Sequence, residues 1–155
     1  MNRNFTQFAF TDSVKAVQAE HGSRQSYQRM EDSGDRYVLT QSEIDFIESR
    51  DSFYISTVGE NGWPYVQHRG GPKGLLKVLD DTTLAMADFR GNRQYISTGN
   101  INSSHKAALT RMYYSTPLLF KFWSTAAVLT LYEHPKLCNQ TMNPNYRTTA
   151  ARHIN

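Results

Sequence analysis

The sequence predicts a mainly β fold, a small antiparallel β-barrel with short helices flanking it. Three observations lead there. From Asp51 onward apolar and polar residues alternate with a period of two, as in half-buried strands. Turn residues recur at hairpin spacing, and they separate runs rich in β-branched and aromatic side chains. Aromatics make up 12% of the chain, with nine Tyr and eight Phe, a content suited to an ordered β-rich core.

The elements follow in order. Thr11-Asp12-Ser13 before Val14–Glu20 is a helix start with Asp12 or Ser13 as the N-cap, and Gly22 is its stop. A polar stretch then runs to Arg36. Thr40-Gln41-Ser42-Glu43 has capping-box spacing, and Ile44, Phe46 and Ile47 give the helix that follows an apolar face ending near Ser49. Ser52–Val58 and Trp63–Arg69 form a hairpin across Gly59-Glu60-Asn61-Gly62, with Pro64 tolerated at the strand's beginning. Leu75–Leu79 and Thr83–Phe89 pair across Asp80-Asp81, which reads as a turn rather than a carboxylate pair for acid–base work. A short helix is expected over Asn92–Gly99, with Gly99-Asn100 as its stop. Lys106–Tyr114 and Leu118–Leu131 supply the remaining strands, and Pro135 opens a last helix before a frayed end. The expected organisation is one domain with a helical N-terminal arm (1–50), a barrel core (51–132) and a C-terminal tail (133–155).

Charge and cysteine content narrow the function classes. Lys and Arg exceed Asp and Glu by 17 to 14, a mild surplus suited to one small anion site and not to coating nucleic acid. Cys138 is the only cysteine, so no intrachain disulfide can form and a cytoplasmic setting is the default. No secretory signal and no run approaching the ~20 apolar residues of a membrane span is seen. The five histidines lack ligand spacing, so no metal site is expected, and no Gly-x-Ser-x-Gly elbow points to a hydrolase.

The chemistry concentrates in Arg50–Asn100, where two cationic, glycine-bearing corners lie one hairpin apart. The first is Arg69-Gly70-Gly71-Pro72-Lys73-Gly74. The second is Arg90-Gly91-Asn92-Arg93-Gln94, read as a strand end opening directly into a helix. A phosphate wants cationic donors and exposed backbone N–H groups, which glycine and a helix N-terminus supply. Arg93 can fork onto two oxygens, and Gln67 and His68 could hydrogen-bond the edge of a flat polar ring. Either corner alone reads as an ordinary basic turn; together they suggest one pocket for a phosphate-bearing ligand. Trp63, Tyr65, Phe89 and Tyr95 could stack on such a ligand, although each taken singly reads as core or contact residue.

The run DSFYISTVGENGWPYVQHRGGPKGLLKVLD followed by TLAMADFRGNRQYISTGN resembles the pyridoxamine 5'-phosphate oxidase-like family of FMN-binding split barrels. Gln18, the His21-Gly22-Ser23-Arg24 turn and Tyr27 resemble the leading helix of the branch that carries the QHRGGP and GNRQY motifs. The likeness spans roughly residues 5–130 and is densest in the central fifty. It implies an antiparallel split barrel of the FMN-binding type, a homodimer with the flavin at the subunit interface, and a flavoprotein oxidoreductase of unstated substrate and electron donor. A non-catalytic flavin-binding module (carrier, sensor or scavenger) and a cofactor-free scaffold are the alternatives. Carried over by position, Gln67, His68 and Arg69 fall where the first core strand meets flavin, Asp88 and Phe89 at the strand end beside it, and Asn92, Arg93 and Gln94 on the phosphate turn. Lys77 lies on the intervening strand, and Trp123 matches an interface residue that approaches flavin from the partner chain. No catalytic residue is assigned, and His68 reads as a hydrogen-bonding group rather than a base.

The chain departs from that pattern at its later strand. Leu118 and Leu119 stand where the branch carries arginines, Ser124 where it carries glycine, and Leu137-Cys138-Asn139-Gln140 and His153-Ile154 give no equivalent of its C-terminal segment. These differences bear on the substrate side of the pocket, not on the phosphate side.

Overall fold

The computed structural model describes residues 5–33, 38–89, 91–113, 118–130, 132–142 and 150–154. The chain divides into two compact units, Met1–Leu39 and Thr40–Asn155. Contacts thus place the division before the capping-box helix, which belongs to the second unit.

The first unit holds α1 (Phe5–Ala9), α2 (Asp12–Glu20) and α3 (Arg24–Asp32). Thr11 is the N-cap of α2, and its Oγ1 accepts from Val14 N–H at 3.5 Å; the cap sits one residue before the expected pair. Gly22, at φ +72°, ends α2 as expected: its N–H donates to Ala19 O and that of Ser23 to Gln18 O, a left-handed C-terminal cap that glycine adopts without a Cβ clash. The expected polar stretch to Arg36 is helical over α3. Arg24 donates to Gln18 Oε1 (2.9 Å), Gln28 Oε1 (2.6 Å) and Glu31 Oε2 (2.6 Å), and Gln28 donates to Asp32 Oδ1. Pairs four and seven residues apart support a helix that has no apolar periodicity to announce it.

The second unit contains α4 (Gln41–Glu48), β1 (Ser52–Val58), β2 (Pro64–Gly70), β3 (Leu76–Val78), β4 (Leu84–Phe89), α5 (Ile96–Ser104), β5 (Lys106–Tyr113), β6 (Leu118–Thr125), β7 (Val128–Leu129), α6 (Pro135–Thr141) and β8 (Ala150–Ile154). The strands form two four-stranded sheets in the orders β2-β1-β5-β6 and β3-β4-β8-β7, with every pairing antiparallel. The architecture is therefore helix plus two antiparallel sheets. Helix holds a larger share than a mainly β fold would have, and the sheets are separate four-stranded arrays in the described residues. Strand β8, which lies in the expected frayed end, pairs with both β4 and β7. Backbone pairing in a sheet needs no strong sequence signature, which is why that segment reads as tail from sequence.

Local chemistry explains the elements that hold the site. The capping box of α4 is present, with Thr40 N–H donating to Glu43 Oε2 at 2.7 Å. The β1–β2 hairpin turns at Gly62 (φ +82°), and Asn61 Oδ1 accepts from Trp63 N–H. Along β1, Phe53, Ile55 and Thr57 are buried and alternate with less buried neighbours. On β5 the corresponding residues are Ala107, Leu109 and Arg111. With Ile47, Leu75, Leu76, Ala85, Met86, Ala87, Ile101 and Ala126 they make the core of this unit.

Helix α5 begins later than expected. Arg93 (φ 61°) and Tyr95 (φ 54°) adopt left-handed backbone, so Gly91–Tyr95 is an irregular turn and the helix starts only at Ile96. Gly99 lies inside the helix, whose end is His105, also left-handed at φ 53°. Glycine permits a stop without forcing one, and here Gly99 N–H continues the ladder to Tyr95 O at 2.8 Å.

Candidate functional site

Two residues of α5 mount that helix on the inner face of the first sheet. Ser97 Oγ donates to Gln67 Oε1 at 2.9 Å, and Asn100 Nδ2 donates to Thr57 Oγ1 at 3.0 Å. Ser97 and Thr57 are buried, so these bonds form away from competing water and hold the helix in register. The turn Gly91–Tyr95, which precedes α5, is thereby set over the edge strand β2.

On β2 the side chains alternate. Tyr65, Gln67 and Arg69 are half-buried and lie across from Thr57, Ile55 and Phe53, on the core-facing side. Together with Asp88, Phe89, the 91–95 turn, Ser97 and Thr98 they line a cleft. At its floor Arg69 Nη1 meets Asp88 Oδ1 at 2.7 Å, joining β2 of one sheet to β4 of the other. Thr98 Oγ1 donates to the second carboxylate oxygen of Asp88 at 3.4 Å. Asp88 is 4% exposed, so its carboxylate oxygens are satisfied by these neighbours rather than by solvent. Arg69 Nε is buried, with no hydrogen-bond partner among the described residues.

The rim differs in character. Asn92, Arg93 and Gln94 are exposed, and Asn92 Oδ1 accepts from Gln94 N–H at 3.2 Å. Three positive φ angles within five residues (Gly91 at 45°, Arg93, Tyr95) give this turn the kind of backbone in which successive N–H groups can line an anion-binding concavity. Arg90, named in the same motif, lies outside the described residues.

The structure thus brings Gln67, Arg69, Asp88, Phe89, Asn92, Arg93 and Gln94 to one cleft. It leaves three of the named residues elsewhere in the chain. His68 is on the opposite side of β2, where its ring meets Tyr54 edge-on at 5.2 Å between centroids. Neighbours along a strand point to opposite faces, so Gln67 and His68 do not address the same ring edge of a ligand within this chain. Lys77, on β3, pairs with Ala85 of β4, and its Nζ lies beside Gly74. Trp123 lies on the far edge strand β6, opposite Ala108 and on the His68 side of the sheet. Three strand spacings, about 14 Å, separate it from β2. Sequence reasoning missed Ser97 and Thr98, whose hydroxyls point into the cleft from a helix with no motif of its own.

The outer side of the first sheet carries Tyr54, Val66, His68, Met112, Leu119, Lys121 and Trp123. Val66 (61%), Met112 (48%), Leu119 (48%) and Trp123 (40%) are well exposed apolar side chains on one continuous face. Among the described residues no helix is long and apolar enough to cross a membrane.

No protein-family model and no curated protein matches the chain. Solved structures do. A putative pyridoxamine 5'-phosphate oxidase from Lactobacillus delbrueckii is 20% identical, with a TM-score of 0.57 over 77% of this chain and 89% of that one. HupZ from Group A Streptococcus is 19% identical, with a TM-score of 0.55 over 75% of this chain and 87% of its own. General stress protein 26 from Bacillus anthracis is 14% identical, with a TM-score of 0.52 over 73% and 84%. Identities this low speak to fold. The chain shares the fold of these pyridoxamine 5'-phosphate oxidase-like split-barrel proteins.

Proposed function

We propose that this chain is an FMN-binding flavoprotein of the cytoplasm, acting as an oxidoreductase on a small molecule. The observation that carries this reading is the cleft itself. One irregular turn with an exposed arginine stands over a strand that presents Gln67 and Arg69, whose buried Nε–H has no acceptor among the described residues. A planar, hydrogen-bonding ring with a phosphate tail matches those two regions, and Tyr65, Phe89 and Tyr95 give the cleft aromatic walls. Asn92, Arg93 and Gln94 would hold the phosphate, and Gln67 and Arg69 the polar ring edge. When bound, FMN supplies the redox chemistry; the residues of this chain bind and orient it and exclude water.

For the assembly, we propose a homodimer that covers the outer side of the first sheet. Its exposed Val66, Met112, Leu119 and Trp123 form the apolar patch such a contact needs. In that dimer Trp123 meets the flavin from the partner subunit.

One observation favours the non-catalytic module as a second reading. The described cleft residues include no histidine, and their only carboxylate is engaged by Arg69 and Thr98, so neither of the side-chain types most used as general acid or base is free there. Titrating the purified protein with FMN while recording the visible spectrum tests the first claim. A shifted, saturable flavin spectrum is expected, and an unchanged spectrum of free FMN removes the flavin reading. Reduction of the bound flavin by NADH or NADPH, with turnover on an added acceptor, separates enzyme from module.

A further inference from the structure

Arg69 and Arg93 do not present equivalent charges to the cleft. Arg93 is exposed on the rim, with no carboxylate bonded to it among the described residues. Arg69 is held at 2.7 Å by the buried carboxylate of Asp88, whose other oxygen is engaged by Thr98. An ion pair this close presents little net charge to a third group nearby. Arg69 nonetheless lines the cleft, and its Nε–H is buried with no hydrogen-bond partner among the described residues.

We propose that Asp88, held by Thr98, is a positioning residue that cancels the charge of Arg69, so that Arg69 donates to an uncharged oxygen or nitrogen of the ligand while the anionic group is read by Arg93 alone. The inference rests on the flavin reading above and divides that site into a neutral floor and a cationic rim. It assigns Thr98 a part that no motif shows, and it separates two arginines whose sequence contexts look alike. A planar guanidinium pinned at one corner keeps its remaining donors in a set direction, which a free arginine would not.

The test compares FMN with riboflavin, which has the same ring and lacks the phosphate, by flavin fluorescence or absorbance titration at two salt concentrations. Arg93→Ala is expected to lower FMN affinity about 10- to 100-fold and leave riboflavin nearly unchanged. Asp88→Asn keeps the side chain's shape and leaves Arg69 positive. It is expected to raise the preference for FMN over riboflavin and to steepen the salt dependence of FMN binding. A purely structural role would instead weaken both flavins alike. Should Asp88→Asn fail to fold, Arg69→Met combined with Asp88→Leu removes both charges together. That variant should lose affinity for the two flavins by the same factor. Selective loss of FMN in it would mean that Arg69 reads phosphate, and the proposal would be wrong with the flavin reading intact. If the unmodified protein binds neither flavin, both fall together.

Discussion

Arg69 Nη1 and Asp88 Oδ1 lie 2.7 Å apart, and this single contact ties the edge strand of one sheet to the second sheet beneath the cleft. Both side chains are nearly buried, 14% and 6% exposed. The ion pair is therefore largely shielded from water.

Removing one member should be costly. Asp88→Ala leaves a guanidinium without its counter-charge and is expected to destabilise the protein by roughly 2–4 kcal/mol in urea unfolding. The paired replacement Arg69→Met with Asp88→Leu should cost far less, since no uncompensated charge remains. Equal losses in the two variants would show that the pair contributes packing alone.

Arg93 stands in left-handed backbone at φ 61°, a conformation that costs a residue with a Cβ about 1–2 kcal/mol. Because the side chain is exposed, Arg93→Gly should relieve strain without opening a cavity. A net gain of about 0.5–1 kcal/mol in stability is expected, alongside loss of FMN affinity. A variant that is both less stable and equally tight in binding would refute the link between strain and site.

The first unit should be acid-sensitive. The hydrogen bond from Arg24, with the charges of Arg24 and Lys15 behind it, holds the Glu31 carboxyl below its ordinary value. A depressed folded value means the stabilisation is complete above the unfolded value and is lost as pH falls through the folded one. Amide exchange in α2 and α3 should accelerate below about pH 4.5, and added salt should reproduce part of the effect at neutral pH. Arg24→Ala should abolish that pH dependence.

Arg111 is fully buried on β5 and donates from Nη1 to Ile47 O in the last turn of α4, while its Nε and Nη2 have no partner among the described residues. Burial first, and the nearby charge of Arg50 second, push its value down to about 10. The folded value lies below the unfolded one, so the charged form costs stability at every pH below about 10. Arg111→Met fills the same space without that cost and is expected to be much less harmful than Arg111→Ala, which should lose roughly 2–4 kcal/mol to the cavity. Thermal unfolding of the two variants at pH 7 decides it. Methionine faring no better than alanine would show that the bond to Ile47 outweighs the charge.

Trp123→Glu places a charge on the outer apolar face. Sedimentation velocity should show the dimer shifted toward monomer, with the circular dichroism unchanged. A monomeric unmodified protein would remove the proposed assembly at once.

Much of this was legible from local chemistry. Gly22, the Thr40–Glu43 capping box, the Gly59–Gly62 turn and the Asp80-Asp81 hairpin are short-range signals, and each appears where the residues place it. Helix α3 was not legible, because its support comes from paired polar side chains rather than an apolar stripe. The start of α5 was misplaced because the left-handed backbone at Arg93 and Tyr95 is imposed by surroundings, against the preference of residues with a Cβ.

The sequence by itself determined which chemistry is present: two cationic turns, a strand bearing Gln67 and Arg69, and a hairpin order that resembles one fold family. Only the tertiary structure decided which of these groups share a cleft. Alternation along β2 sends His68 to the opposite face, the sheet order puts Trp123 on the far edge, and a carboxylate from the second sheet takes up the charge of Arg69. The physical reason is range. Caps and turns are set by neighbours a few residues apart, whereas the net charge and direction of a side chain depend on partners that only folding brings near.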